Sequence, residues 1–123
     1  MIRGLLEGVA FEMRLNLDIL ERSGCKIREL RTIGGGAKSD IWNQLKADVI
    51  GKPISVLQVT EAGCLGTAIL AKAAETQEPV ANIASQWVRP VKIIEPRTDF
   101  STWYSERFSF YRQLYPTLKQ ISM

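Results

Sequence analysis

Arg31-Thr32-Ile33-Gly34-Gly35-Gly36-Ala37-Lys38-Ser39-Asp40-Ile41-Trp42 decides how this chain is read. The stretch has the form of a strand end, a turn of three glycines and a helix start. β-Branched Ile33 precedes glycines, which accept positive φ and carry no Cβ to hold a ligand away from the backbone. Ser39 suits an N-cap, and Asp40 puts a carboxylate in the first helical turn, where the helix dipole favours it. Free N–H groups at such a turn and helix start form a site for phosphate. The stretch therefore raises a nucleotide hypothesis; the alternative is a tight strand–helix connection with no ligand.

Two familiar phosphate motifs are excluded. A P-loop needs Gly directly before its Lys, where Ala37 stands, and an upstream Gly, where Thr32 stands. A dinucleotide fingerprint starting from Gly34 and Gly36 needs a third Gly at Ser39. It also needs an acidic residue at the end of the next strand, where Val56, Leu57 and Gln58 stand. A Rossmann-like dinucleotide-binding domain is left as an alternative only.

On the carboxyl side, the helix runs from about Asp40 to Ile50 and turns Ile41, Trp42, Leu45 and Val49 inward. It closes at Gly51, with Pro53 beyond. Ile54 to Val59 is a second strand, which completes a βαβ unit with parallel strands. On the amino side, Ile27 to Ile33 is the first strand. Before it, Ile2, Leu5, Leu6, Val9, Met13, Leu17 and Leu20 recur at helical spacing, and the helix ends near Ser23 with Gly24 as its left-handed cap. Gly4 and Gly8, one turn apart, predict the close approach of another backbone.

Beyond the second strand, Thr60 caps a third helix, Glu61 to about Thr76. This helix is rich in small residues suited to close packing, and Gly63 and Gly66 lie early enough in it to flank a ligand. Val80 to Val88 forms a short helix and Val91 to Ile94 an extended segment. The final helix, about Thr102 to Leu118, turns Tyr104, Phe108, Tyr111, Tyr115 and Leu118 into a core.

Bulk properties narrow the function. A chain of 123 residues, 46% hydrophobic and 24% charged, makes one small globular domain. Its net charge of +3 is scattered, which argues against nucleic acid or an anionic membrane as partner. The absence of histidine removes the commonest general base and metal ligand. Cys25 and Cys64 stand far apart without metal-ligand spacing, so free thiols and no metal site are expected. There is no signal peptide and no apolar run of about 18 residues, so a cytoplasmic location is expected.

The pattern Gly34-Gly35-Gly36-Ala37-Lys38-Ser39-x-x-Trp42-x-Gln44-x-x-Ala47-Asp48-x-x-Gly51-x-Pro53, followed by Glu61-Ala62-x-x-x-Gly66-x-Ala68-x-x-Ala71, resembles the C-terminal region of the FGGY carbohydrate kinases. The opening Arg3-x-x-x-Glu7-Gly8-Val9-Ala10-Phe11 and the closing Tyr104-x-x-x-Phe108-x-x-Tyr111-x-x-Leu114-Tyr115 resemble it too, so the likeness covers nearly the whole chain. It implies an α/β fold that is a fragment of an actin-like, ribonuclease-H-like ATPase domain: a βαβ unit with parallel strands flanked by helices. Residues 1–123 would be part of the C-terminal, ATP-binding domain, without the N-terminal sugar-binding domain.

The intact enzyme implied by the resemblance transfers the γ-phosphate of ATP, with Mg2+, to a sugar hydroxyl. Gly35, Gly36 and Ala37 would line the nucleotide, with Gly34 opening the turn. Ser39 and Asp40 would lie toward the adenosine end, where relatives often have an amide. Kinases of this family are several times longer and use an aspartate base near mid-sequence. Asp18, Asp48 and Asp99 here lack that context and read as solvated helix or turn carboxylates, so no catalytic residue is assigned.

The chain alone is therefore expected to be inactive, to bind ATP or ADP, and to meet a sugar only with the missing domain. Two strands leave sheet edges open, which predicts self-association, unless Val91 to Ile94 pairs with an edge and the aromatic helix folds back over the sheet to close a small domain. The rival readings are a non-catalytic remnant, or an oligomerising interaction module.

Overall fold

The computed structural model describes residues 1–58 and 61–121. Its elements are α1 (Ile2–Arg22), β1 (Leu30–Thr32), a 3-10 turn (Gly35–Lys38), α2 (Asp40–Ile50), β2 (Ile54–Leu57), α3 (Ala62–Thr76), α4 (Val80–Trp87), β3 (Pro90–Ile94) and α5 (Thr98–Ile121). Val59, expected to end the second strand, and Thr60, expected to cap the third helix, lie outside the described residues. Among the described residues no helix is long and apolar enough to cross a membrane.

The sheet has the order β1-β2-β3. As the βαβ pattern requires, β1 and β2 are parallel, with Leu30 opposite Ile54 and Thr32 opposite Val56. β3 adds an antiparallel strand on the far side of β2, with Ile94 opposite Ile54 and Lys92 opposite Val56. β1 is shorter than expected, because it pairs only where β2 opposes it; positions 27–29 carry no strand.

The fold is built around α2, which is buried on two sides. Toward the sheet, Ala47 packs with Ile54 and Ile94, joined by Leu30 and Val56. Away from the sheet, Val49 packs with Ala10 and Phe11 of α1 and with Tyr104 and Phe108 of α5. Phe11 meets the Tyr104 ring edge-on at 5.9 Å, a favourable aromatic geometry. The ends of α2 are those written in the sequence: Ser39 Oγ accepts the Trp42 N–H at 3.3 Å, and Gly51 closes the helix at φ +73°.

Four expectations are corrected. Ile41 does not point inward; it is 84% exposed, because the first turn of α2 projects beyond both cores. Asp48 is not solvated but fully buried, since its helix has no free face at that point. Its carboxylate accepts from Gln44 Nε2 (3.0 Å), the Arg97 backbone N–H (2.8 Å) and Arg97 Nε (3.0 Å). The expected apolar face of α1 is largely exposed, with Leu5 at 69% and Val9 at 53%. α1 packs instead through Ala10 and Phe11, and no atom comes close enough to meet a Cβ at Gly4 or Gly8. In α5, Tyr104 and Phe108 are core and Tyr111 is half-buried, but Tyr115 and Leu118 are exposed along an open groove that they border with Glu12 and Leu15 of α1. α3 and α4 pair with each other around Ile69 and Ile83.

Candidate functional site

The strand-to-helix turn begins at Gly34, whose φ of +81° and ψ of −172° form a combination open essentially to glycine alone. Gly35 to Lys38 then make a single 3-10 turn, closed by Ala37 N–H donating to Gly34 O at 3.1 Å. Gly34 is therefore the positive-φ residue of the turn, and Gly35 and Gly36 are not. A Cβ on Gly35 would meet nothing, and one on Gly36 would make only ordinary contact with the Trp42 ring at 3.6 Å. The outer side of the turn is open.

The inner side is fixed by two polar residues of α2, three apart and so on one helix face. Asn43 is fully buried and donates through Nδ2 to Ala37 O at 2.7 Å; its Oδ1 has no hydrogen-bond partner. Lys46 is 6% exposed and donates through Nζ to Thr32 Oγ1 at 3.1 Å. Burial pushes the Lys46 ammonium below its ordinary pKa. Both flanks of the glycines, Thr32 and Ala37, are thus tied to α2.

A cleft of about 250 Å³ opens beside the turn, lined by Gly34, Ala37, Lys38, Leu57, Gln58 and Val91 among others. It lies at the carboxyl ends of β1 and β2, where ligands of open parallel sheets are held. Ser39 and Asp40 do not line it. The Ser39 hydroxyl is occupied by the helix cap. Asp40 pairs with Lys92 of β3 at 2.7 Å and borders a second groove, of about 550 Å³, between α1 and α2.

The residues singled out from sequence therefore fall into three groups. Gly34 and Ala37 are on the cleft wall, Gly35 and Gly36 stand between them in the turn without lining the cleft, and Ser39 and Asp40 are one step away at the helix start. Asn43, Lys46 and Gln58 were not singled out. The available signal for the first two was a pair of polar residues at a spacing that should face inward.

Lys38 is exposed at the cleft wall, and among the described residues no group of three or more carboxylate, thiol or imidazole side chains gathers.

Comparison with known proteins gives concordant matches. The sequence profile described as the FGGY family of carbohydrate kinases, C-terminal domain, matches residues 1–75. A xylulose kinase of Staphylococcus epidermidis is 28% identical over 121 residues, covering 98% of this chain and 24% of its own. The crystal structure of a gluconate kinase from Lactobacillus acidophilus superposes with a TM-score of 0.86 at 25% identity, over 94% of this chain and 24% of its own. A glycerol kinase from Plasmodium falciparum, solved with ADP, superposes with a TM-score of 0.75 at 22% identity and shares the fold, over 95% of this chain and 24% of its own. The chain thus spans about a quarter of the length of these relatives.

Proposed function

The chain belongs to the FGGY family of carbohydrate kinases, and from that premise we propose that residues 34–40 form the ATP-binding turn of an enzyme that moves the γ-phosphate of ATP to a sugar hydroxyl. The observation that carries this reading is the conformation of Gly34, which turns the backbone along a cleft at the carboxyl ends of two parallel strands. Gly34, Gly35 and Gly36 let the nucleotide approach the main chain. Ala37 is small and buried beneath it, and Lys38 supplies a cation for the phosphates. Ser39 fixes the helix start, and Asp40, held by Lys92, lies toward the adenosine. Phosphoryl transfer depends on such positioning and electrostatics, with Mg2+ neutralising phosphate charge when bound. No residue of this chain is assigned to hold the metal. These 123 residues are proposed to be inactive by themselves.

Titration with ADP to millimolar concentration, followed by backbone amide shifts, tests the reading. The shifts are expected to centre on residues 34–40. Gly35→Val, whose side chain enters open space, should leave stability unchanged and weaken ADP at least ~10-fold by occupying the approach to the backbone. Gly34→Ala should instead cost about 1–3 kcal/mol of stability, because its backbone conformation excludes a Cβ. Shifts that survive unchanged in Gly35→Val would put the ligand elsewhere. NAD shifting the turn more strongly than ADP would favour the dinucleotide alternative.

The uncovered faces favour a second reading, self-association. α1 presents Ile2, Leu5, Leu6 and Val9 to solvent, and Val91 and Ile93 are exposed on β3. Apolar surface of this kind marks association sites. Sedimentation velocity at micromolar concentrations is expected to show species larger than the 13.8 kDa chain. A single compact monomer, unchanged on dilution and blind to a hydrophobic dye, overturns it.

A further inference from the structure

Lys46 is unusual among the cations of this chain. It is buried, yet none of the ion pairs among the described residues includes it. Its contacts are a neutral hydroxyl, Thr32 Oγ1 at 3.1 Å, and the Trp42 ring, 5.4 Å from Nζ to the centroid. Neither cancels a charge. A lysine buried without a carboxylate costs stability, and a methionine or glutamine would fill the same space without that cost. Its place in the fold is specific. It lies one helical turn beyond Asn43, which bonds to Ala37 of the turn, and itself bonds to the residue two positions before Gly34.

We infer that Lys46 is an electrostatic positioning residue of the nucleotide site, a cation held behind the turn whose missing counter-charge is the phosphate chain of the nucleotide. This rests on the ATP-binding reading of the turn and extends it to a residue outside the cleft wall. In the low-dielectric interior a charge acts over a longer range than in water, where Lys38, exposed at the cleft, is screened. The two lysines divide the work: Lys38 meets the anion in solvent, while Lys46 sets the potential from behind. The bond to Thr32 holds the ammonium toward the turn rather than letting it reach solvent.

The test is ADP and adenosine titration of the wild-type chain, Lys46→Met, Lys46→Gln and Thr32→Val, with a thermal melt of each. Lys46→Met is expected to lower ADP affinity about tenfold while leaving adenosine affinity unchanged, and to melt at or above the wild-type temperature. Thr32→Val removes the bond that holds the ammonium toward the turn but keeps the charge, so it should lower ADP affinity by less than Lys46→Met does and leave adenosine affinity unchanged. Wild-type ADP affinity in Lys46→Met or Lys46→Gln overturns the inference. So does a parallel loss of ADP affinity, adenosine affinity and stability, which marks a merely structural lysine. If ADP does not shift residues 34–40 of the wild-type chain at all, the ATP-binding reading falls and takes this inference with it. If wild-type ADP binding is normal and the Lys46 variants match it, this inference alone falls.

Discussion

Incubated with ATP and a panel of pentoses, hexonates and polyols, a preparation of these 123 residues alone is expected to leave ATP consumption at the buffer background. Phosphoryl transfer to an alcohol needs a group that takes the hydroxyl proton within hydrogen-bond reach of the acceptor. None of the four aspartates can do this at the cleft. Asp48 is sealed inside by Gln44 and Arg97. Asp40 is engaged by Lys92 and does not line the cleft. Asp18 lies on α1, Asp99 lies in the first turn of α5, and neither lines the cleft. Purified activity on any one sugar would overturn the assignment of these residues to the ATP-binding part alone. Adding the remaining portion of such a kinase as a separate polypeptide should raise ADP release above background. Failure to do so would favour the non-catalytic interaction module.

The parts of the fold that were legible in the sequence are those fixed by local chemistry. Ser39, Gly51 and Pro53 specify the ends of α2 because a cap, a left-handed glycine and a helix stop each act within a few residues. The parallel pairing of β1 and β2 follows equally from one strand–helix–strand unit. What was not legible depends on partners distant in sequence. A periodic pattern assigns a helix one buried face, whereas α2 has two, so Lys46 and Asp48 go inside and Ile41 goes out. In α1, apolar residues occupy more than one face, and only the position of Phe108 and Tyr104 decides that Phe11 is the one covered. Within the glycine run, composition says that a positive φ is available but not which residue takes it; the strand direction and the Asn43 bond to Ala37 assign it to Gly34.

Asp48→Ala is expected to be among the most destabilising single substitutions in the chain. The carboxylate is the acceptor for the backbone N–H of Arg97 and for the Gln44 amide, and it lies where α2 meets the connection between β3 and α5. Truncation leaves those donors without it and opens a small void, a loss of about 2–4 kcal/mol. The ion pair itself adds little to that figure, because the Arg97 side chain is 54% exposed and recovers its hydration while still lying over the Phe100 ring. Asp48→Asn, which keeps the volume and one acceptor for the Arg97 N–H, should cost about half as much. For a domain of this size the alanine variant should melt on the order of 10 °C lower. The consequence reaches the site through β3. Gln44 also donates to Glu95 O, so the two residues together hold the end of the strand that carries Val91 to the cleft and Lys92 to Asp40. Loosening that end should broaden the amide signals of β3 before those of β1. An Asp48→Ala chain with wild-type stability would mean that the aromatic packing of α5 on α1 and α2 anchors the carboxyl-terminal third by itself, and that β3 is held by its pairing with β2 alone.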